Sequence, residues 1–151
     1  MPSLSLSNST SAPTKTLDKV EVINEPFNTD TTGNFTAVNC TIAYFSGAGK
    51  YLKVSNSDFN GYAYKEFNGL TPGARYTYDI DCIGSPVSGN KILIGKTAGN
   101  GDGLTVTISA SGSPQNFTGS FIATHTTLFI SLLGVHNSSD SYWDDIQIDE
   151  A

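Results

Sequence analysis

The stretch Asn68-Gly69-Leu70-Thr71-Pro72-Gly73-Ala74-Arg75-Tyr76-Thr77-Tyr78-Asp79-Ile80-Asp81-Cys82 decides the fold class. Its first half gathers two glycines and a proline, the residues that punctuate turns because of the backbone angles they allow or impose. Its second half alternates. Tyr76, Tyr78, Ile80 and Cys82 fall on one side of an extended chain, and Thr77, Asp79 and Asp81 on the other. Alternation with period two is the signature of a strand that buries one face. A turn feeding such a strand is the unit of an antiparallel sheet.

The same unit recurs in both directions along the chain. Strand candidates lie at 20–27, 36–45, 50–56, 62–68, 75–83, 90–96, 104–110, 116–124, 126–133 and 142–149. Turn-forming clusters separate them, as in Ser46-Gly47-Ala48-Gly49, Gly99-Asn100-Gly101-Asp102-Gly103 and Ser111-Gly112-Ser113-Pro114. About ten short strands of this kind predict an all-β, two-sheet antiparallel sandwich or a barrel. Composition agrees: of 151 residues, 62 are Gly, Ser, Thr or Asn and 35 are Val, Ile or Thr, which disfavours a helical bundle. Parity assigns a core of Phe117, Phe121 and Ala123, then Leu128, Ile130 and Leu132, then Ile146 and Ile148. Counting back from Ile146 turns Asp144 inward and Trp143 outward.

Residues 1–19 differ from the rest, with eight Ser or Thr, two prolines and no aromatic residue. They read as an extended N-terminal arm preceding one domain over residues 20–151. Within the arm, Ser3-Leu4-Ser5-Leu6-Ser7 alternates as a single strand would, and Leu4, Leu6 and Leu17 are its large apolar anchors. The arm has neither the basic start nor the continuous apolar stretch of a secretory signal, so synthesis in a cytoplasm without export is the expectation.

Charge and hydropathy exclude several partners. The net charge is −6 with a single arginine, so the clustered cations that a nucleic acid needs are missing, and an anionic membrane surface is disfavoured for the same reason. The longest strongly apolar stretch, Leu128 to Val135, falls far short of a spanning helix. Cys40 and Cys82 lack metal-site spacing and read as two small buried hydrophobes. His125, His136 and the acid pair Asp79 and Asp81 form no recognisable catalytic arrangement, so an enzyme is not expected.

Several ordered segments carry a resemblance. Gly33-Asn34-Phe35-Thr36-Ala37 is followed by Tyr51-Leu52-Lys53-Val54, then Gly61-Tyr62-Ala63-Tyr64-Lys65-Glu66-Phe67 and the Leu70-Thr71-Pro72-Gly73 turn. Phe117-Thr118-Gly119-Ser120-Phe121-Ile122-Ala123-Thr124 and Tyr142-Trp143-Asp144-Asp145-Ile146-Gln147-Ile148 complete the order. This resembles the β-jelly-roll carbohydrate-binding modules attached to xylanases and laminarinases, over residues 20–151. The resemblance implies a jelly-roll sandwich, a fold that is also reused in structural proteins of tailed phages. It also implies a structural calcium held by an acid near the first strand and by the first Asp of the terminal strand. Here those positions correspond to Glu25 and Asp144, although Asn28 stands where such modules tend to carry an acid after the Phe.

Two functions follow as expectations. The first is a non-enzymatic virion protein, a capsid decoration or cement protein of a phage. It would dock on the major capsid protein or other virion proteins through the jelly roll and through Leu4, Leu6 and Leu17 of the arm. Such a protein would be a homo-oligomer on the shell. The alternative is a carbohydrate-binding module or adhesin that stacks a polysaccharide on Trp143, Tyr62 and Tyr64, because aromatic faces and nearby polar groups are what a sugar ring requires.

Overall fold

The computed structural model describes residues 21–46, 49–83, 89–109, 114–134, 136 and 140–151. The proposed arm, with Leu4, Leu6 and Leu17, lies outside the described residues. The strands are β1 (Glu21–Glu25), β2 (Thr36–Val38), β3 (Cys40–Phe45), β4 (Tyr51–Asn56), β5 (Tyr62–Asn68) and β6 (Arg75–Ile83). They continue with β7 (Lys91–Gly95), β8 (Leu104–Thr107), β9 (Gln115–Ile122), β10 (Thr127–Leu133) and β11 (Asp140–Glu150). One sheet runs β3-β4-β11-β6-β9 with β1 also paired to β11, and the other runs β2-β5-β10-β7-β8. Every pairing is antiparallel. The chain is an all-β two-sheet antiparallel sandwich.

The Thr71–Ala74 turn forms as its residues dictate. Pro72 and Gly73 are the central residues, Gly73 has φ 88°, and the Ala74 amide donates to the Thr71 carbonyl at 3.0 Å. Proline then glycine with positive φ is a type II turn. The Tyr76 hydroxyl accepts from the Thr71 amide at 3.0 Å, so a core tyrosine fastens the turn that precedes its own strand.

The two sheets bury one face each against the other. Tyr76, Ile80 and Cys82 from β6 meet Leu128, Ile130 and Leu132 from β10, all at most 2% exposed. Leu52, Ile92, Ile94, Ile146 and Ile148 fill the same layer. Cys40 and Cys82 are free thiols, half-buried and buried. Burial raises the Cys82 thiol to about 11, which keeps it protonated and unreactive at neutral pH.

Two departures from simple parity shape the surface. The predicted strand 36–45 is broken at Asn39, where φ is 52°, and the chain there leaves the five-stranded sheet for the six-stranded one. Asparagine tolerates this left-handed conformation better than most residues. The second departure is a bulge in β11 between Asp144 and Gln147, with Asp145 at φ 43°. One extra residue in a strand reverses the facing of everything beyond it. Trp143 is therefore 0% exposed, paired across to Leu52 and Cys82, with its indole Nε1 donating to Ser141 Oγ at 2.9 Å. The outward Trp143 expected from parity is corrected. So is the inward Asp144, which lies directly across from Asp81 on the outer face.

Candidate functional site

β5 alternates without interruption. Ala63 and Phe67 are buried between the sheets, while Tyr62, Tyr64 and Glu66 occupy the opposite face. On the neighbouring β10, Leu128, Ile130 and Leu132 go inward, which leaves Phe129, Ser131 and Leu133 outward. Register sets Tyr62 opposite Leu133, Tyr64 opposite Ser131 and Glu66 opposite Phe129. The three rings then form a connected row. Tyr62 and Tyr64 have centroids 6.1 Å apart, and Phe129 meets Tyr64 edge-on at 5.8 Å. All three rings are half-buried.

Both sides of this row are defined. Along one side runs the edge strand β2, with Thr36 opposite Tyr64 and Val38 opposite Tyr62. On the other, the loop between β7 and β8 folds back over the sheet. The Gly99 amide donates to Ser131 Oγ at 2.9 Å. Gly99 sits at φ 77°, and a Cβ there would lie 2.8 Å from Tyr62 Cζ. Glycine is needed twice over, for the backbone angle and for the approach to the ring. Asp102 secures the loop, accepting from the Lys96 amide at 2.9 Å. At the Phe129 end stands a polar chain: Thr127 Oγ1 donates to Asn68 Oδ1 at 2.6 Å, and Asn68 Nδ2 donates to Glu66 Oε1 at 3.0 Å. The result is an aromatic strip with hydroxyl, amide and carboxylate groups at its margins. Apolar CH faces of a bound ring can rest on such a strip while the polar margins orient it.

Of the residues expected to stack a sugar, the structure brings Tyr62 and Tyr64 together and removes Trp143 to the core. Sequence reasoning missed Phe129, although its parity opposite Leu128 and Ile130 carried the signal. It also missed Phe59, which is 61% exposed in the turn three residues ahead of Tyr62. A lone aromatic between Asp58 and Asn60-Gly61 was the clue.

The proposed calcium pair is not assembled. Glu25 is 4% exposed on the inner side, where Lys65 Nζ donates to its Oε1 and Asn34 Nδ2 donates to the same oxygen at 2.9 Å. Burial alone would raise the Glu25 carboxyl. The hydrogen bonds from Lys65, Thr31 and Asn34 and the Lys65 charge outweigh it and hold the group below its ordinary value. Its negative charge is thus already met by an ammonium of the same chain. Asp144 faces the other way, among Asp81, Asp145 and Asp79. Burial first, then the neighbouring negative charges, raises both Asp144 and Asp145. These two acids do not fit a calcium set, and among the described residues no group of three or more His, Cys, Asp or Glu is arranged to hold a metal.

The acids weighed as catalytic face outward too. Asn116 Nδ2 donates to Asp79 Oδ1 at 2.6 Å and to Asp81 Oδ1 at 2.7 Å, tying them together on the surface of the six-stranded sheet.

No protein-family model matches the chain, and no curated protein matches it by sequence. Solved structures do match it in fold. The CBM22-1–GH10 modules of the N-terminal endo-1,4-β-D-xylanase 10B from Clostridium thermocellum, complexed with xylohexaose, superpose with a TM-score of 0.65 at 15% identity. That match covers 87% of this chain but only 28% of the xylanase chain. The K3 adhesin domain of Lys-gingipain from Porphyromonas gingivalis gives a TM-score of 0.60 at 13% identity, over 88% of this chain and 99% of that one. The enzymatically active domain of tailspike protein 4 from bacteriophage CBA120 gives 0.60 at 8% identity, over 80% of this chain and 20% of that one. At these identities the likeness is one of fold. It establishes a carbohydrate-binding-module-like sandwich, and function has to come from the surface.

Proposed function

We propose that this domain is a non-catalytic carbohydrate-binding module that lays a neutral pyranose chain along Tyr62, Tyr64 and Phe129. The observation that carries the reading is the connected row of three rings on the outer face of the five-stranded sheet, bounded by β2 and by the Gly99 loop. Rings on a flat sheet face lose little side-chain entropy when a ligand stacks on them, since the strand already fixes their direction. The net charge of −6 disfavours anionic glycans and leaves neutral ones. Phe59, in the turn leading into β5, is a further aromatic available to a longer chain.

The fold likeness to a module pair complexed with xylohexaose and to an adhesin domain is the background that supports this reading. The capsid-decoration expectation has only a fold likeness to a phage tailspike behind it. Its arm residues Leu4, Leu6 and Leu17 lie outside the described residues.

Affinity electrophoresis through gels containing xylan, mixed-linkage β-glucan or hydroxyethyl cellulose tests the proposal. The wild-type chain should be retarded by at least one of them, and Tyr64→Ala should weaken that binding about tenfold, the size expected of a central aromatic anchor. Unchanged retardation of Tyr64→Ala would remove the row from the function.

A further inference from the structure

The six-stranded sheet carries its own aromatic cluster on its outer face, remote from the row described above. On β3, Thr41, Ala43 and Phe45 point outward, and on β4 Tyr51, Lys53 and Ser55 do the same while Leu52 and Val54 are buried. Register sets Phe45 opposite Tyr51 and Lys53 opposite Tyr142 of β11. Phe45 and Tyr51 lie nearly parallel, at 10° with centroids 5.8 Å apart. Tyr142 meets both edge-on, at 5.7 Å and 6.3 Å. Phe45 is 40% exposed. Lys53 Nζ lies 5.9 Å from the Tyr142 ring centre and 2.8 Å from Asp140 Oδ2.

We propose that Phe45, Tyr51 and Tyr142, with Lys53 and Asp140 at their margin, form a second site for a neutral pyranose chain on the face opposite the first. The proposal rests on the glycan-binding reading for its ligand class, and on its own geometry for the site. Scattered exposed apolar side chains are ordinary, whereas contiguous aromatic rings on a solvent face are the kind of surface that interaction sites use.

Size and charge choose the occupant. A stable protein contact covers about 800 Å² on each partner. Three rings, two of them already half-buried, fall well short of that, whereas one or two sugar rings are matched by them. The Lys53 ammonium supplies donors and the Asp140 carboxylate supplies acceptors beside the rings, which suits a ligand studded with hydroxyls. Charge then decides between glycans. Asp140 neutralises Lys53, and the same sheet carries Asp79, Asp81, Asp144 and Asp145, so a uronate or phosphate chain would be repelled. Two sites on opposite faces make the module bivalent, able to join separate stretches of polysaccharide and to gain avidity from doing so.

The same gels separate the outcomes, with variants at each site alone and at both. The expected result is that Tyr64→Ala and Phe45→Ala each retain part of the retardation and the double variant loses it. Each single variant should be about tenfold weaker at its own site. If Tyr64→Ala alone abolishes binding while Phe45→Ala migrates as wild type, the second site is overturned and the first reading stands. If Phe45→Ala abolishes binding and Tyr64→Ala changes nothing, the second site stands and the first reading falls. A wild-type chain that no neutral polysaccharide retards overturns both. Sedimentation velocity covers the remaining occupant: a wild-type dimer that Phe45→Ala dissociates would make the patch a contact between copies and overturn the proposal. Lys53→Met, which keeps the stem against Tyr142, guards against a folding defect in Phe45→Ala. In the Tyr64→Ala background it should weaken residual binding about threefold, as for one lost charged hydrogen bond at a solvated margin.

Discussion

Period-two counting turns Tyr62 and Tyr64 of β5 and Trp143 of β11 toward solvent, and only β5 keeps them there. On β5 the alternation is unbroken from Tyr62 to Asn68, its register against β10 has no shift, and Tyr62 and Tyr64 stand side by side on the surface. On β11 the bulge at Asp144 and Asp145 inserts one residue, and Trp143 goes from the surface to the centre of the core. Parity holds only as far as the ladder stays regular. The same event moves Asp144 outward into a group of like charges, away from Glu25 on the inner side.

The comparison can be broken most forcefully at Trp143. Trp143→Ala should cost about 3–5 kcal/mol of stability, the range for deleting a large buried ring. Denaturant unfolding reads this directly. A loss under 1 kcal/mol would mean the indole is not packed in the core.

Next in size is the inner carboxylate. Lys65→Met removes the ammonium and leaves Glu25 buried beside the neutral side chains of Thr31 and Asn34, with no opposite charge among its described partners. A stability loss of about 3 kcal/mol is expected, because an uncompensated buried charge is the expensive half of a broken pair. Combining it with Glu25→Leu should recover most of that loss. The pair also sets the acid limit. The folded Glu25 carboxyl is held below its unfolded value of 4.5, so its stabilisation is complete above about pH 4.5 and is lost as pH falls through the folded value. Thermal melts of Glu25→Gln from pH 7 to 3 should lack that part of the decline.

Tyr64→Ala sharpens the contrast from the other strand. It should leave stability nearly as it was, relative to Trp143→Ala, and weaken glycan binding about tenfold, equivalent to ~1.4 kcal/mol.

The smallest effect is expected at the bulge itself. Asp145→Asn keeps a side chain that tolerates positive φ and takes one negative charge out of the Asp79, Asp81 and Asp144 group. Because the folded Asp145 carboxyl is raised, its penalty is absent below the unfolded value of 3.8, grows as pH rises through the folded value and persists at neutral pH. The substitution should therefore raise stability slightly at pH 7, by no more than about 0.5 kcal/mol, and have no effect near pH 3, which thermal melts at the two pH values read.

Much of this molecule is legible in its sequence. The Leu70–Gly73 turn and the alternation of β6 appear as read, because a proline, a glycine and a period-two pattern act locally. The core residues Leu128, Ile130, Leu132, Ile146 and Ile148 are buried as their parity requires. Tyr62 and Tyr64 share a face, since three consecutive turns of the pleat need no distant information.

What the residues by themselves determined, then, is the class of the fold, the strands and the inner face of each regular stretch. The tertiary structure alone decided the rest. Whether Asp144-Asp145 bulges depends on pairing with β6 and β4 at once, and that pairing sent Trp143 inward. Whether Glu25 meets a cation depended on β5 delivering Lys65 from 40 residues away. The two aromatic clusters likewise arise from register between strands distant in sequence, Phe129 beside Tyr64 and Tyr142 beside Phe45. Backbone propensity acts over a few residues, whereas a site needs side chains from separate strands, and only the packing of whole sheets fixes which ones meet.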